Sequence, residues 1–143
     1  MLSIKRLDQQ DSQLLLEGAR AKAREIGVPM CIAVTDESGT LLAFERMDGS
    51  KVTSVAIAQN KAFTAAGARK ATSAINEACV PGSLLFGIHT AFEGRFWVVG
   101  GGLPVLIDGE VVGAIGASTG TPQQDEECAQ AGIDHFMSAR NAS

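Results

Sequence analysis

No apolar stretch in this 143-residue chain reaches the roughly 18 residues needed to span a bilayer, so no membrane partner is expected. Positive charge is sparse as well. The 12 lysines and arginines are scattered among 16 aspartates and glutamates, leaving a net charge of −4. A nucleic-acid partner wants a clustered basic face, and the sequence holds none. Cysteine is limited to Cys31, Cys79 and Cys128, odd in number and far apart. No disulfide framework follows from them, and a reducing, cytoplasmic compartment is expected. The opening stretch "MLSIKRLDQQDSQ" turns polar at once and carries no secretory core. Histidine occurs only as His89 and His135, and no Cys or His spacing resembles a zinc site. Ser-His-Asp order, a G-x-S-x-G elbow and a Cys–His pair are all missing as readable motifs. Internal repeats, low-complexity tracts and linkers are missing too.

What is present suits one globular domain over residues 1–143, with 45% hydrophobic and 20% charged residues. "LDQQDSQLLLEGARAKAREIGVP" predicts a helix, with Leu15, Ala19, Ala23 and Ile26 on one stripe, a Gly27 cap and Pro29 as a stop. Met30 to Asp36 and Thr40 to Met47 read as a hairpin turning at "ESG". "TSVAIAQNKAFTAAGARKATSAINEA" is helical, breaking near Gly67 and resuming after Thr72. "CVPGSLLFGIHTAFEG" is a long irregular connection, a kind that is often functional. Strands are predicted at Arg95 to Val99, Leu103 to Ile107 and Glu110 to Ala117, the last two joined by Asp108-Gly109. Thr121, Pro122 and Gln124 open a final helix with a capping box. The order predicts an α/β (α+β) fold: a five-stranded antiparallel sheet with helices mainly on one face.

Gly100, Gly101 and Gly102 stand where a sheet is being built. They open a strand rather than a helix, so dinucleotide and P-loop readings fail. Two compatible readings remain: a tight reversal or bulge, and a pocket floor where a flat or anionic ligand approaches the backbone. Lys61 lies mid-helix with Ile57, Ala58, Thr64 and Ala65 at its i±3 and i±4 positions, so no local carboxylate pairs with it. Its charge escapes to water or meets something from elsewhere in the fold or from a ligand. Glu45, Arg46 and Asp48 form either a solvated turn or an arginine fork for a carboxylate, and Glu93 with Arg95 carries the same ambiguity. His89, in the long connection, is a candidate metal or haem ligand; Cys31 reads as a small hydrophobe. Ala56, Ala58, Ala62, Ala65 and Ala66 permit close helix approach and predict a buried contact between subunits.

The motifs "RMDG", "AQNKAFTA", "GGGLP" and "DGEVVGAIGAS" occur in this order between Ile32 and Gly132. In this combination the chain resembles the GlcG/HbpS family, whose relatives include the C-terminal domain of PduO-type adenosyltransferases. The resemblance implies a profilin- or PAS-like fold, a homo-oligomer, and a cytoplasmic protein binding haem, another tetrapyrrole or a small anionic metabolite. It implies an accessory place in glycolate, glycerol or diol breakdown. The positions matching the family are Arg46, Asp48, Lys61, Thr64, Gly100, Gly101, Gly102 and Pro104. The chain departs from extracellular haem-binding members in lacking a histidine in its first helix and a secretion signal. The alternative is a small lyase, isomerase or hydratase acting on a hydroxy or keto acid. There Lys61 serves as base or Schiff-base amine and Arg46 as carboxylate clamp.

Overall fold

A computed structural model describes residues 1–142. Helix α1 (Gln9–Ile26) begins at Asp8, whose carboxylate accepts from the Asp11 amide while the Asp11 side chain accepts from the Asp8 amide. It ends at Gly27, which takes the left-handed conformation at φ 71°. Strands β1 (Cys31–Asp36) and β2 (Leu41–Arg46) form the first hairpin. Its turn is held by the Asp36 carboxylate, which accepts from the Ser38 and Thr40 amides and the Ser38 hydroxyl. Helix α2 (Ser54–Ala68) and the short α3 (Thr72–Ala78) follow. Strands β3 (Gly102–Ile107) and β4 (Glu110–Ser118) turn at Asp108 and Gly109, both at positive φ as a tight hairpin requires. Helix α4 (Pro122–Asn141) opens on the expected Thr121–Gln124 capping box.

The sheet runs β2-β1-β4-β3, antiparallel throughout. Side chains alternate across it. Ile32, Val34, Ile115 and Ala117 join Leu15, Ala19, Cys128 and Phe136 in the main core under α1 and α4. Cys31 and Ala33 face the opposite way, against Ala58 and Ala62 of α2, and Ala114 meets Ala65 and Ala66. Helices therefore cover both faces rather than mainly one. The reason lies in side-chain size: at Gly116 a Cβ would collide with the Ala58 carbonyl, so α2 lies almost on the sheet backbone. Ala58, Ala62, Ala65 and Ala66 are buried against the chain's own sheet, so their small size is explained within one subunit.

Four strands are formed among the described residues, not five. Residues 95–99 do not pair as a strand, because side chains bind their backbone groups instead. The Thr64 hydroxyl accepts from the Trp97 amide while its proton is shared between the Asn60 carbonyl at 2.7 Å and the Arg95 carbonyl at 3.2 Å, and the Thr72 hydroxyl donates to the Val99 carbonyl. The break between α2 and α3 falls two residues later than expected. It is Arg69, not Gly67, that takes the left-handed conformation, at φ 58°.

Candidate functional site

Lys61 meets its partner from elsewhere in the fold. Its ammonium donates to Asp125 Oδ2 at 2.8 Å and to the Ala117 carbonyl at 3.0 Å, and its side chain is 1% exposed. Asp125 sits in the first turn of α4 and also accepts from the Gly120 amide at 2.9 Å. The pair thus ties α2, β4 and α4 together. Burial pushes Lys61 below the usual lysine range and Asp125 above the usual carboxylate range, while each pulls the other back toward its charged form. Gly101 and Gly102 close over this pair. Gly101 has φ 133°, and a Cβ on it would lie 2.7 Å from both Lys61 Nζ and the Ala117 carbonyl. The Gly102 amide donates to the Thr72 hydroxyl at 3.0 Å, and the Ala117 amide donates to the Gly101 carbonyl. Gly101 and Gly102 thus join a strained reversal to a close approach by Lys61, whereas Gly100 packs against Pro122 and Ser73 and lines a separate concavity with Asn76 and Glu126.

Thr64 lies one turn along α2 from Lys61 and organises Arg95 to Trp97, as described above. Pro104 occupies the edge strand β3, where a missing amide is tolerated. Arg46 and Asp48 lie elsewhere, lining a concavity of about 350 Å³ with Arg20, Arg24 and Glu45. The Arg20 guanidinium is paired with Glu45 at 2.8 Å, which leaves Arg46 without a place in that pair. The matching positions therefore fall into separate groups. Lys61, Gly101, Gly102 and Asp125 form a buried joint, and Arg46 with Asp48 forms an exposed rim.

A cavity lies between the long connection and residues 96–99. It has a volume of about 690 Å³ and is lined by Phe86, Phe96, Trp97, Val98 and Val99, with Cys79, His89 and Thr90 as its polar side chains. The size falls within the ordinary range for small-molecule sites, and the aromatic lining is what such sites use. Cys79 Sγ stands 3.3 Å from His89 Nδ1, within hydrogen-bond reach for sulfur. The thiol donates when the ring proton is on Nε2. The Thr90 hydroxyl is already committed to the Gly87 carbonyl at 2.7 Å. The loop reaches this shape through left-handed residues at Gly87, Phe92, Glu93 and Gly94. Such conformations in Phe and Glu cost on the order of 1–3 kcal/mol each and collect at functional sites. Phe92 is placed edge-on to Phe63, with Arg95 stacked 4.1 Å over the Phe63 ring.

The Cys79–His89 pair and the aromatic lining escape sequence reasoning. Ten residues separate the two, with no motif between. The legible signals are the length of the connection, His89 within it, and the apolar "LLF" at Leu84 to Phe86.

The family described as haem-degrading protein HbpS-like matches residues 7–134. The chain belongs to this family. A 15.0 kDa protein of the dhaT-dhaS intergenic region of Citrobacter freundii is 42% identical over 122 residues, covering 85% of this chain and 86% of that protein. Among solved structures, the Klebsiella pneumoniae protein ORFY superposes with a TM-score of 0.93 at 34% identity, covering 96% of this chain and 94% of that one. The PduOC:haem complex superposes at 0.87 with 30% identity, covering 91% and 94%. The motif order that pointed to this HbpS-like family, and the mixed α/β class, both hold.

Proposed function

We propose that this HbpS-like protein binds haem or a related tetrapyrrole in the cavity walled by Phe86, Phe96, Trp97, Val98 and Val99. The observation that carries the reading is the presence of one imidazole, His89, on an apolar aromatic lining of about 690 Å³. The lining fits the group. A porphyrin presents a wide apolar face, and iron is commonly held by a histidine nitrogen. With Nδ1 of His89 facing Cys79, Nε2 is the nitrogen that remains for a metal, and the sulfur contact fixes the ring. Likeness to the PduOC:haem complex supports the choice of ligand. Bound haem would supply iron redox and ligand-exchange chemistry; the chain supplies the imidazole, an apolar seat and partial exclusion of water.

The reading extends to a cytoplasmic, self-associating protein accessory to glycolate, glycerol or diol breakdown. Its three cysteines are free, as a reducing compartment expects, and no described helix is long and apolar enough to cross a membrane. Titration of the purified protein with haemin, followed in the Soret region, tests the ligand. A shifted, saturable band is expected, with His89→Ala weakening binding at least tenfold. A spectrum equal to free haemin, or an unchanged His89→Ala titration, overturns the reading.

A further inference from the structure

The same cavity holds a second chemistry that does not require haem. Cys79 and His89 are both on its wall, in mutual hydrogen-bond reach at 3.3 Å, and Cys79 is half-buried rather than sealed. A thiol beside an imidazole is the arrangement of an activated sulfur nucleophile. The other two thiols differ. Cys31 is fully buried against Ser50, and Cys128 is fully buried with its thiol pushed up to about 11 by burial and the nearby Asp125 and Glu127 carboxylates. Nucleophilic capacity is thus concentrated at the one cysteine that faces a cavity.

The lining selects the electrophile. Acyl transfer and conjugate addition both push charge onto a carbonyl oxygen, but conjugate addition has no leaving group to accommodate and needs one proton moved from sulfur to carbon, which a single imidazole can do. Thr90, the remaining polar side chain of the wall, spends its hydroxyl on the Gly87 carbonyl. Phe86, Phe96, Trp97, Val98 and Val99 offer only apolar contact, which suits a neutral substrate that gives a neutral product. We infer that Cys79 and His89 form a thiol–imidazole site that captures apolar α,β-unsaturated carbonyl compounds by conjugate addition. Cys79 Sγ bonds to the β-carbon, and the C=C π pair moves toward the carbonyl. His89 Nδ1 takes the thiol proton and returns it to the α-carbon, directly or through water. Nothing leaves, and no oxidant or reductant is consumed.

The test uses the full chain without haem, trans-2-nonenal as the apolar probe and iodoacetamide as a small polar one, with adducts mapped by peptide mass spectrometry after borohydride reduction. Cys79 is expected to take up nonenal at least tenfold faster in the folded protein than in the urea-unfolded chain, with Cys31 and Cys128 unmodified. His89→Gln should slow the addition at least tenfold and remove the imidazole-dependent step from its pH profile. Trp97→Ala should slow nonenal more than iodoacetamide. Equal rates in folded and unfolded chains overturn the inference without any variant, and so does a His89→Gln rate matching wild type. Parallel haemin and nonenal titrations of the wild-type protein separate the two readings. Soret binding without nonenal capture removes this inference alone, and nonenal capture without Soret binding removes the haem reading alone.

Discussion

Lys61 is a residue whose type and neighbours were readable and whose partner was not. The absence of a carboxylate at i±3 and i±4 follows from the sequence, but Asp125 lies 64 residues away, and only the packing of α4 against the sheet brings it to 2.8 Å. Removing one member of a buried ion pair leaves the other uncompensated, which costs about 3–5 kcal/mol. Lys61→Met should therefore lower stability by that order, and the double variant with Asp125→Leu should recover part of it. The loss should depend on pH. Burial already raises Asp125, so as pH falls the folded state takes up a proton before the unfolded chain does, and a neutral Asp125 no longer needs the ammonium. The deficit of Lys61→Met in urea midpoint should narrow from pH 7.5 toward pH 5; a deficit constant across that range would sink the account. Gly101 is the complementary case. At φ 133°, with Lys61 Nζ and the Ala117 carbonyl 2.7 Å from where a Cβ would stand, Gly101→Val should cost about 2 kcal/mol or more, read from the same urea midpoint.

At the scale of elements, what was legible is what local chemistry decides. The α1 stripe, its Gly27 stop, both hairpin turns and the α4 capping box depend on residues within about four positions of one another, and all occur where the sequence places them. The expected strand at Arg95 to Val99 failed because Thr64 and Thr72, more than 25 residues earlier, take its backbone groups. No local pattern carries that information. The same contrast separates the candidate site: the unusual length of the connection was visible, whereas the meeting of Cys79 with His89 depends on how the loop folds back. The Asp36 turn supplies a test at this scale. Burial raises the Asp36 carboxyl, but the Ser38 hydroxyl, the Thr40 and Ser38 amides and Arg6 outweigh it and hold the group below the usual carboxylate range. A carboxylate with a depressed folded value contributes stability above its unfolded value of about 3.9, and that contribution is lost as pH falls. Asp36→Ala should destabilise at pH 7 by about 1–3 kcal/mol, the worth of the orphaned amides, and the gap to wild type should shrink below pH 4 in urea titrations. A gap that stays constant in acid would assign the loss to the turn's shape instead of its charge.

At the scale of the whole molecule, the covering of both sheet faces removes one argument for assembly and exposes another. Ala58, Ala62, Ala65 and Ala66 of α2 are consumed by the chain's own sheet, and of the five alanines expected at a subunit contact only Ala56 stands exposed. The connection that builds the cavity does offer something. Val80, Leu84, Leu85, Phe86 and Phe92 are all exposed on it, Leu84 completely, and Val99 adds to them from the cavity wall. Soluble monomers rarely keep large apolar patches in water, and burying a leucine or phenylalanine contributes about 1.5–3 kcal/mol each. A second copy of the chain is the occupant that the proposed self-association requires, and seating it there would cover the cavity mouth. Sedimentation velocity at micromolar concentration should give a mass above the 14.9 kDa of one chain. Leu84→Asp, at a position that lines no part of the cavity, should shift the distribution toward monomer while leaving the unfolding free energy of the monomer within about 0.5 kcal/mol, as exposed substitutions do. Wild-type protein sedimenting as a monomer would end the argument for assembly. An oligomer untouched by Leu84→Asp would move the contact away from the loop and leave the cavity open to solvent on every copy.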